Sequence, residues 1–293
     1  MAEPKTELRK VRDFGEIITD TFIFITQNFK PLLASFFGIA GVFMLASTIV
    51  NGFYQSRAGN LFRDIFMSGR TTEVMDLSFF GTTYFLLLVL TLANLTAMKV
   101  AIIAYMKVYD QKGRQVPEMA EVWEEFKKYF LKVLVYSIPL LLLIIAGTVL
   151  CIAPGVYLMV VLVPFEIMLM VEDRSFSDAF SRCFDLIKNN FWMSLGVYFV
   201  CYLIYSCSAG IIGFVVAILG GALSYFTTKD VGQTLAVGTS ILNIFSFLFF
   251  IVYFVGAVLN YYNLVERYDG TGMLKRLDHL GTNSDHHQIE EQY

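Results

Sequence analysis

The sequence has little of what enzymes use for chemistry. Histidine occurs only three times, at His279, His286 and His287, all close to the C-terminus. No H-E-x-x-H, G-x-S-x-G, Walker or dinucleotide-binding motif is present. The apolar part of the chain therefore contains no catalytic histidine. We expect a protein that is not an enzyme and that carries no cofactor or metal.

Cysteine and charge are also scarce. The four cysteines, Cys151, Cys183, Cys201 and Cys207, form no C-x-x-C pair, so the spacing predicts neither a disulfide framework nor a zinc site. Only 16% of the residues are charged and the net charge is -3. Without a basic block, the sequence does not favour a nucleic acid partner.

What the chain has in excess is apolar residues. They make up 56% of the sequence and the mean hydropathy is +0.61, whereas soluble domains contain roughly 45–50%. An apolar helix of about 20 residues crosses the hydrocarbon layer. No signal peptide precedes the first run, so we expect that span to be retained. Six transmembrane helices are predicted, at about 31–52, 82–106, 133–151, 155–172, 192–222 and 237–264.

The distribution of lysine and arginine predicts the orientation of these spans. Seventeen of these residues lie in the N-terminal segment, the segments after spans two and four, and the C-terminal tail. Only four lie on the opposite side. Because cytoplasmic segments retain positive charge, both termini are predicted to be cytoplasmic.

An amphipathic helix precedes each pair of spans, which indicates an internal repeat. "FGEIITDTFIFITQNF" and "FSDAFSRCFDLIKNNF" align with an offset of 162 residues, and "VPEMAEVWEEFKKYF" keeps the apolar pattern. We predict three repeat units, at about 11–109, 116–173 and 175–267. The aromatic anchors of the three helices are Phe14, Phe22, Phe29, Trp123, Phe126, Phe130, Phe176, Phe184 and Phe191.

Two interpretations of these helices stay open. A stripe of large apolar residues opposite charged ones suits a helix that lies in the headgroup region, parallel to the membrane. Such helices either anchor and pack under the bundle, or form a cytoplasmic collar that binds lipid headgroups or another protein.

Polar residues within the spans are the candidates for a functional site, because an ionised group near the bilayer centre costs at least roughly 2.5–3.5 kcal/mol. Lys99 and Glu166 lie about 12 and 9 Å from the cytoplasmic ends of their spans at about 1.5 Å per residue, which makes an ion pair plausible. Alternatively, each side chain reaches the headgroups separately. Asn94 and Asn260 are candidates for hydrogen bonds between helices.

Small residues recur every four positions in span five, at Ala209, Gly213, Ala217 and Gly221. This stripe allows another helix to approach closely. Packing within the bundle and a homodimer seam are both compatible with it, so the sequence leaves the oligomeric state undecided.

The segments "RDFGEIITDTFIFITQNFKPLL" and "SFSDAFSRCFDLIKNNFWMSLGVYF" resemble the bacterial six-span family named for the membrane domain of glycerophosphoryl diester phosphodiesterases. The resemblance covers most of residues 12 to 265. It implies a membrane module, since many members of that family stand alone. The soluble domain that carries the phosphodiesterase chemistry in fused members is missing from this sequence, so the resemblance does not imply that activity.

Together these features predict an all-α fold, a polytopic bundle of six transmembrane helices with three cytoplasmic interfacial amphipathic helices in a pseudo-threefold repeat. Residues 1–267 form one membrane domain, and 268–293 form a polar, disordered tail. The expected function is a scaffold or lipid-contacting module of the bacterial inner membrane, with membrane lipids and another membrane or cytoplasmic protein as partners. The alternative is a small transporter or lipid translocator that uses Lys99 and Glu166.

Overall fold

The computed structural model describes residues 5–66, 77–226 and 231–270, so most of the predicted tail lies outside the described part of the chain. The described residues form an all-α bundle. Six helices are long and apolar enough to cross a membrane, in agreement with the six predicted spans. The helices are α1 (Phe14–Gln27), α2 (Phe29–Phe66), α3 (Leu77–Gln111), α4 (Met119–Leu150), α5 (Ile152–Val171), α6 (Phe176–Ile187), α7 (Phe191–Phe226) and α8 (Val231–Asp269).

The last helix forms the centre of the bundle. α8 packs against α1, α2, α3, α5, α6 and α7, and its spanning part is the most buried of the six. α4 is peripheral by comparison, because much of its spanning surface is exposed. It faces α2, α3 and α5 and leaves its outer flank uncovered.

A one-residue turn joins α4 to α5, as the short apolar loop predicts. Cys151 is the only residue between the two helices, and Pro154 lies in the first turn of α5, where its missing N–H costs nothing. A methyl group on Gly155 would lie 2.2 Å from Thr148 Oγ1 and 2.7 Å from Thr148 Cα. Only glycine therefore allows the two helices to approach this closely, and α5 is held tightly against α4.

The second amphipathic segment is not a separate helix, which corrects the prediction of three interfacial helices. α4 runs without a break from Met119 to Leu150 and includes both that segment and the third span. The other two copies break at Asn28 and close to Asn190. Asparagine competes for backbone hydrogen bonds and favours helix ends, and the Asn28 amide donates to Phe24 O at 3.0 Å. The equivalent residue in the second copy is Tyr129, which continues the helix.

The two separate amphipathic helices bury residues at equivalent positions of the repeat. α1 buries Ile17, Thr21 and Phe24, and α6 buries the residues 162 positions later: Ala179, Cys183 and Leu186. Each helix also begins with a side-chain cap, from Asp13 and Ser175 respectively. Equivalent residues of the two copies therefore point into the bundle.

The aromatic anchors divide into three groups. Phe14, Phe22, Phe29 and Trp123 are exposed, as expected for side chains in contact with lipid. Phe130, Phe176, Phe184 and Phe191 are half-buried against the core. Phe126 is 3% exposed and stacks between Trp123 and Phe130, so it is a core residue and not an anchor. The continuity of α4 explains this, because its first turns pack on α2 and α3.

Charged side chains collect where the N-terminal segment meets the end of α8. We call this region the charged end; it comprises residues 5–13, 107–125, 172–190 and 263–270. Arg12 N donates to Asn263 Oδ1 at 2.8 Å, and Arg267 Nη2 donates to Arg12 O at 2.5 Å. Arg9 pairs with Asp110 at 3.0 Å. The two ends of the described chain therefore lie at the same end of the bundle.

A network around Glu172 connects α6 with α5 and α8 at the charged end. Tyr261 Oη donates to Glu172 Oε1 at 2.7 Å, and Arg182 Nε lies 3.2 Å from Glu172 Oε2. Arg174 contacts the same carboxylate, and Arg182 also pairs with Asp269. Burial raises the pKa of Glu172, but the hydrogen bonds and the two guanidinium charges together hold that pKa below its ordinary value of 4.5.

We predict that Glu172 stabilises the fold at neutral pH and loses this effect in acid. A carboxylate with a lowered pKa in the folded state contributes stability above its unfolded pKa, and the contribution disappears as the pH falls through the folded pKa. Glu172→Gln should destabilise the protein by about 1–2 kcal/mol at pH 7. In detergent, the difference in melting temperature between Glu172→Gln and the unchanged protein should become smaller below pH 4.5.

Glu124→Gln is the control for this prediction, because Glu124 is exposed and forms no salt bridge within the described chain. Its melting temperature should follow that of the unchanged protein at every pH. A gap for Glu172→Gln that stays constant down to pH 4 would contradict the role assigned to the ionised carboxylate.

Candidate functional site

Lys99 and Glu166 meet inside the bundle. The Lys99 ammonium on α3 contacts the Glu166 carboxylate on α5 and forms a salt bridge. The two side chains are only 24% and 13% exposed. Pairing is what allows two charges to lie at this depth, since Lys99 is eight residues, or about 12 Å, from Lys107 at the charged end.

A third side chain supports this pair. Ser137 on α4 donates to Glu166 Oε1 at 3.0 Å, so the carboxylate receives hydrogen bonds from two helices. The tight hairpin between α4 and α5 places Ser137 and Glu166 on adjoining faces. Sequence reasoning missed Ser137; the available signal was a serine hydroxyl at the fifth position of the third predicted span, beside Tyr136.

The pair forms part of the wall of a cavity of about 290 Å³. α3, α4, α5 and α8 line this cavity, mostly with aliphatic side chains. The polar groups on the wall are Lys99, Ser137, Glu166 and the Tyr253 side chain. An apolar chamber with a few convergent polar groups is typical of small-molecule sites. We call it the α3–α5–α8 cavity.

The α3–α5–α8 cavity is bordered on one side by exposed apolar residues. Leu141 on α4 and Met159 on α5 line it and are 45% and 49% exposed. Both residues lie on helices that are long and apolar enough to cross a membrane. Their exposed parts are therefore suited to contact with acyl chains.

Asn260 lies outside this cavity, in a hydrogen-bonded position of its own. Its Nδ2 donates to Ser194 Oγ at 3.1 Å and to Tyr198 Oη at 3.0 Å. Tyr198 corresponds to Ser137 when the third repeat is aligned with the second. In both repeats, a hydroxyl group on the first span is hydrogen-bonded to a polar side chain on the second span. Asn260 is fully buried and therefore holds α7 against α8.

Two other candidates take no part in the cavity. Asn94 is buried, its Oδ1 has no hydrogen-bond partner in the described chain, and it does not line the cavity. Of the small-residue stripe, Ala209 is half-buried, and a methyl group on Gly213 would meet no described atom within 4 Å. The surroundings of Ala217 and Gly221 lie outside the described part. Packing against the described residues therefore does not explain Gly213.

Comparison of the chain with protein-family models, with curated proteins and with solved structures finds no match.

Proposed function

We propose that this integral membrane protein is a non-enzymatic, lipid-contacting module that holds a membrane lipid in the α3–α5–α8 cavity. The observation that carries the proposal is a membrane-facing apolar cavity with a salt bridge in its wall. The apolar chain of the lipid would contact the aliphatic lining. The Lys99 ammonium has three N–H donors, and those not used by Glu166 are available to a carbonyl oxygen of the lipid.

The arrangement supports lipid better than a water-soluble ligand. Four polar side chains share the wall with an otherwise aliphatic and aromatic lining, so most of a strongly polar ligand would stay unsatisfied there. The exposed residues on the wall face acyl chains, where lipid is abundant. A lipid loses little solvation on entering such a site.

We place the charged end in the cytoplasm and the protein in a bacterial inner membrane as part of this proposal. The excess of lysine and arginine at that end supports the orientation, and the family resemblance supports the membrane.

The test compares two tryptophan substitutions on the α4–α5 hairpin. Val163→Trp places bulk on the cavity wall, whereas Val149→Trp makes the same change at a residue that is 81% exposed and outside the cavity. The loss of roughly ten close carbon–carbon contacts, each worth about 0.1–0.2 kcal/mol, amounts to about 1.4 kcal/mol, a tenfold change in affinity. Native mass spectrometry after mild detergent extraction should therefore find about tenfold less lipid on Val163→Trp.

Val149→Trp should retain as much lipid as the unchanged protein. Equal retention by all three proteins, or no retained lipid on any of them, would overturn the proposal.

Reconstituted vesicles distinguish binding from a second candidate, lipid translocation, which the charged pair inside the cavity favours. If the unchanged protein moves a fluorescent lipid between the leaflets and Val163→Trp does not, the protein is a lipid translocator.

A further inference from the structure

α3 and α4 stay packed against each other from the cavity to the charged end. Lys99 on α3 and Ser137 on α4 line the cavity. Eight residues nearer the charged end, α3 carries Lys107 and α4 carries Tyr129, a distance of about 12 Å along each helix. Lys107 Nζ lies 3.4 Å from Tyr129 Oη, so the two helices still face each other at this level.

Three lysines surround the Tyr129 ring at this level of the bundle. The ammonium groups of Lys107, Lys128 and Lys132 lie 4.6, 4.7 and 5.9 Å from the ring centroid. Tyr129 itself is buried, and its ring attracts cations through its negative face. Like charges gathered at one point repel each other, so the cluster needs anions nearby.

Two carboxylates neutralise only part of the positive charge of these lysines. Glu125 lies 2.6 Å from Lys107, and Asp173 lies 3.6 Å from Lys132. Lys128 is exposed and forms no salt bridge with a carboxylate in the described chain. The three ammonium groups therefore have only two carboxylates close to them. The ammonium group without a salt bridge is that of Lys128, which is exposed.

The titration of Asp173 agrees with a positive local field. Partial desolvation raises the pKa of this carboxyl, but the positive charges of Lys128 and Lys132 act in the opposite direction. Together with hydrogen bonds from Tyr129 and Lys132, they hold the pKa below its ordinary value. An anion that approaches Lys128 enters the same field.

We infer that Lys107, Lys128, Lys132 and Tyr129 form a headgroup site for an anionic phospholipid whose acyl chain lies in the α3–α5–α8 cavity. The inference rests on the proposed function and names the class of lipid. Lysine binds phosphate as a point charge, and basic residues at a membrane surface attract anionic lipids. The spacing of about 12 Å along α3 lets one lipid place its phosphate at the lysines and its chain in the cavity.

The test measures which lipid the purified full-length protein binds. Phosphatidylglycerol and phosphatidylcholine with identical acyl chains are offered at equal concentration, and native mass spectrometry counts each lipid on the protein. The unchanged protein should prefer phosphatidylglycerol. Lys128→Gln should reduce the preference about fivefold, and Lys128→Gln with Lys132→Gln should remove most of it. Total bound lipid should stay the same.

Lys127→Gln is the matched control, because it removes an equal charge from the adjacent exposed residue, whose ammonium is not among those that surround Tyr129. It should leave the preference unchanged. An equal effect of Lys127→Gln would show general surface charge and overturn the site. Bound lipid without a preference would overturn the headgroup site but not the proposed function, whereas no bound lipid would overturn both.

Inorganic phosphate distinguishes a lipid headgroup from a free anion. Added in excess and compared with sodium chloride at the same ionic strength, which screens the lysines equally, it should leave the phosphatidylglycerol preference in place, because it gains no contact in the cavity. Loss of the preference in phosphate but not in chloride would assign the lysines to a soluble anion and overturn the lipid assignment.

Discussion

Lys99→Met is expected to lower the free energy of unfolding by about 3 kcal/mol, the cost of leaving a buried charge without its partner. The substitution leaves the Glu166 carboxylate with the Ser137 hydroxyl as its only remaining hydrogen-bond donor among the contacts described above. Glu166→Gln should be comparably harmful, because the Lys99 ammonium then loses its anionic partner. Thermal unfolding in detergent measures both effects.

The double variant Lys99→Met/Glu166→Gln should be more stable than Lys99→Met alone. Both charges are then gone, and the amide oxygen of the introduced glutamine can still accept from Ser137. Residues in one salt bridge give non-additive effects of about 0.5–3 kcal/mol in a double-mutant cycle. Additive losses would contradict the coupling of the two side chains. Lys188→Met, at an exposed lysine, should change stability by less than about 0.5 kcal/mol.

Arg12→Met is expected to release the N-terminal segment from the bundle. The Arg12 side chain is 0% exposed, and its Nε lies 2.7 Å from Asp20 Oδ2. Its guanidinium also donates to Leu8 O at 2.8 Å, to Lys10 O at 3.1 Å and to Glu7 O. Removing it breaks the salt bridge to Asp20 and takes one donor from each of three carbonyl groups, at a cost of about 3–5 kcal/mol.

Hydrogen exchange across residues 5–12, followed by mass spectrometry, measures this release. Exchange should become much faster in Arg12→Met, and Arg12→Lys should be intermediate because an ammonium cannot reach all of the same acceptors. Lys10→Met removes only an exposed pair with Glu16 at 3.3 Å, worth about 0–1 kcal/mol. Unchanged exchange in Arg12→Met would mean that Arg9 and its partner Asp110 suffice to hold the segment.

The prediction of spans succeeded because it depends on local properties. Each spanning segment is apolar over the length that a bilayer requires, and no tertiary contact is needed to recognise that. The hairpin at Cys151 was predictable for the same reason, since Pro154 and Gly155 follow within four residues and favour a break between helices. The third span was predicted from position 133, but α4 begins at Met119, because charged residues lowered the local hydropathy without ending the helix.

The amphipathic segments show where local reasoning failed. Their periodicity predicted three similar helices, yet only two are separate. One substitution at the equivalent of Asn28 and Asn190 decides this, since Tyr129 neither caps nor interrupts a helix. The Tyr129 ring instead contacts three lysine ammoniums, two of them on its own helix and one on α3, a cluster that spacing along one segment did not reveal.

The sequence by itself determined the helical class, the six spans and the approximate depth of Lys99 and Glu166, because hydropathy and rise per residue are properties of single segments. Only the tertiary structure decided that these two side chains meet and that Ser137 joins them. It also decided that a mostly apolar cavity lies beside them and that Arg12 is buried. Each of these depends on how α3, α4, α5 and α8 pack, and packing joins residues that are far apart in the chain.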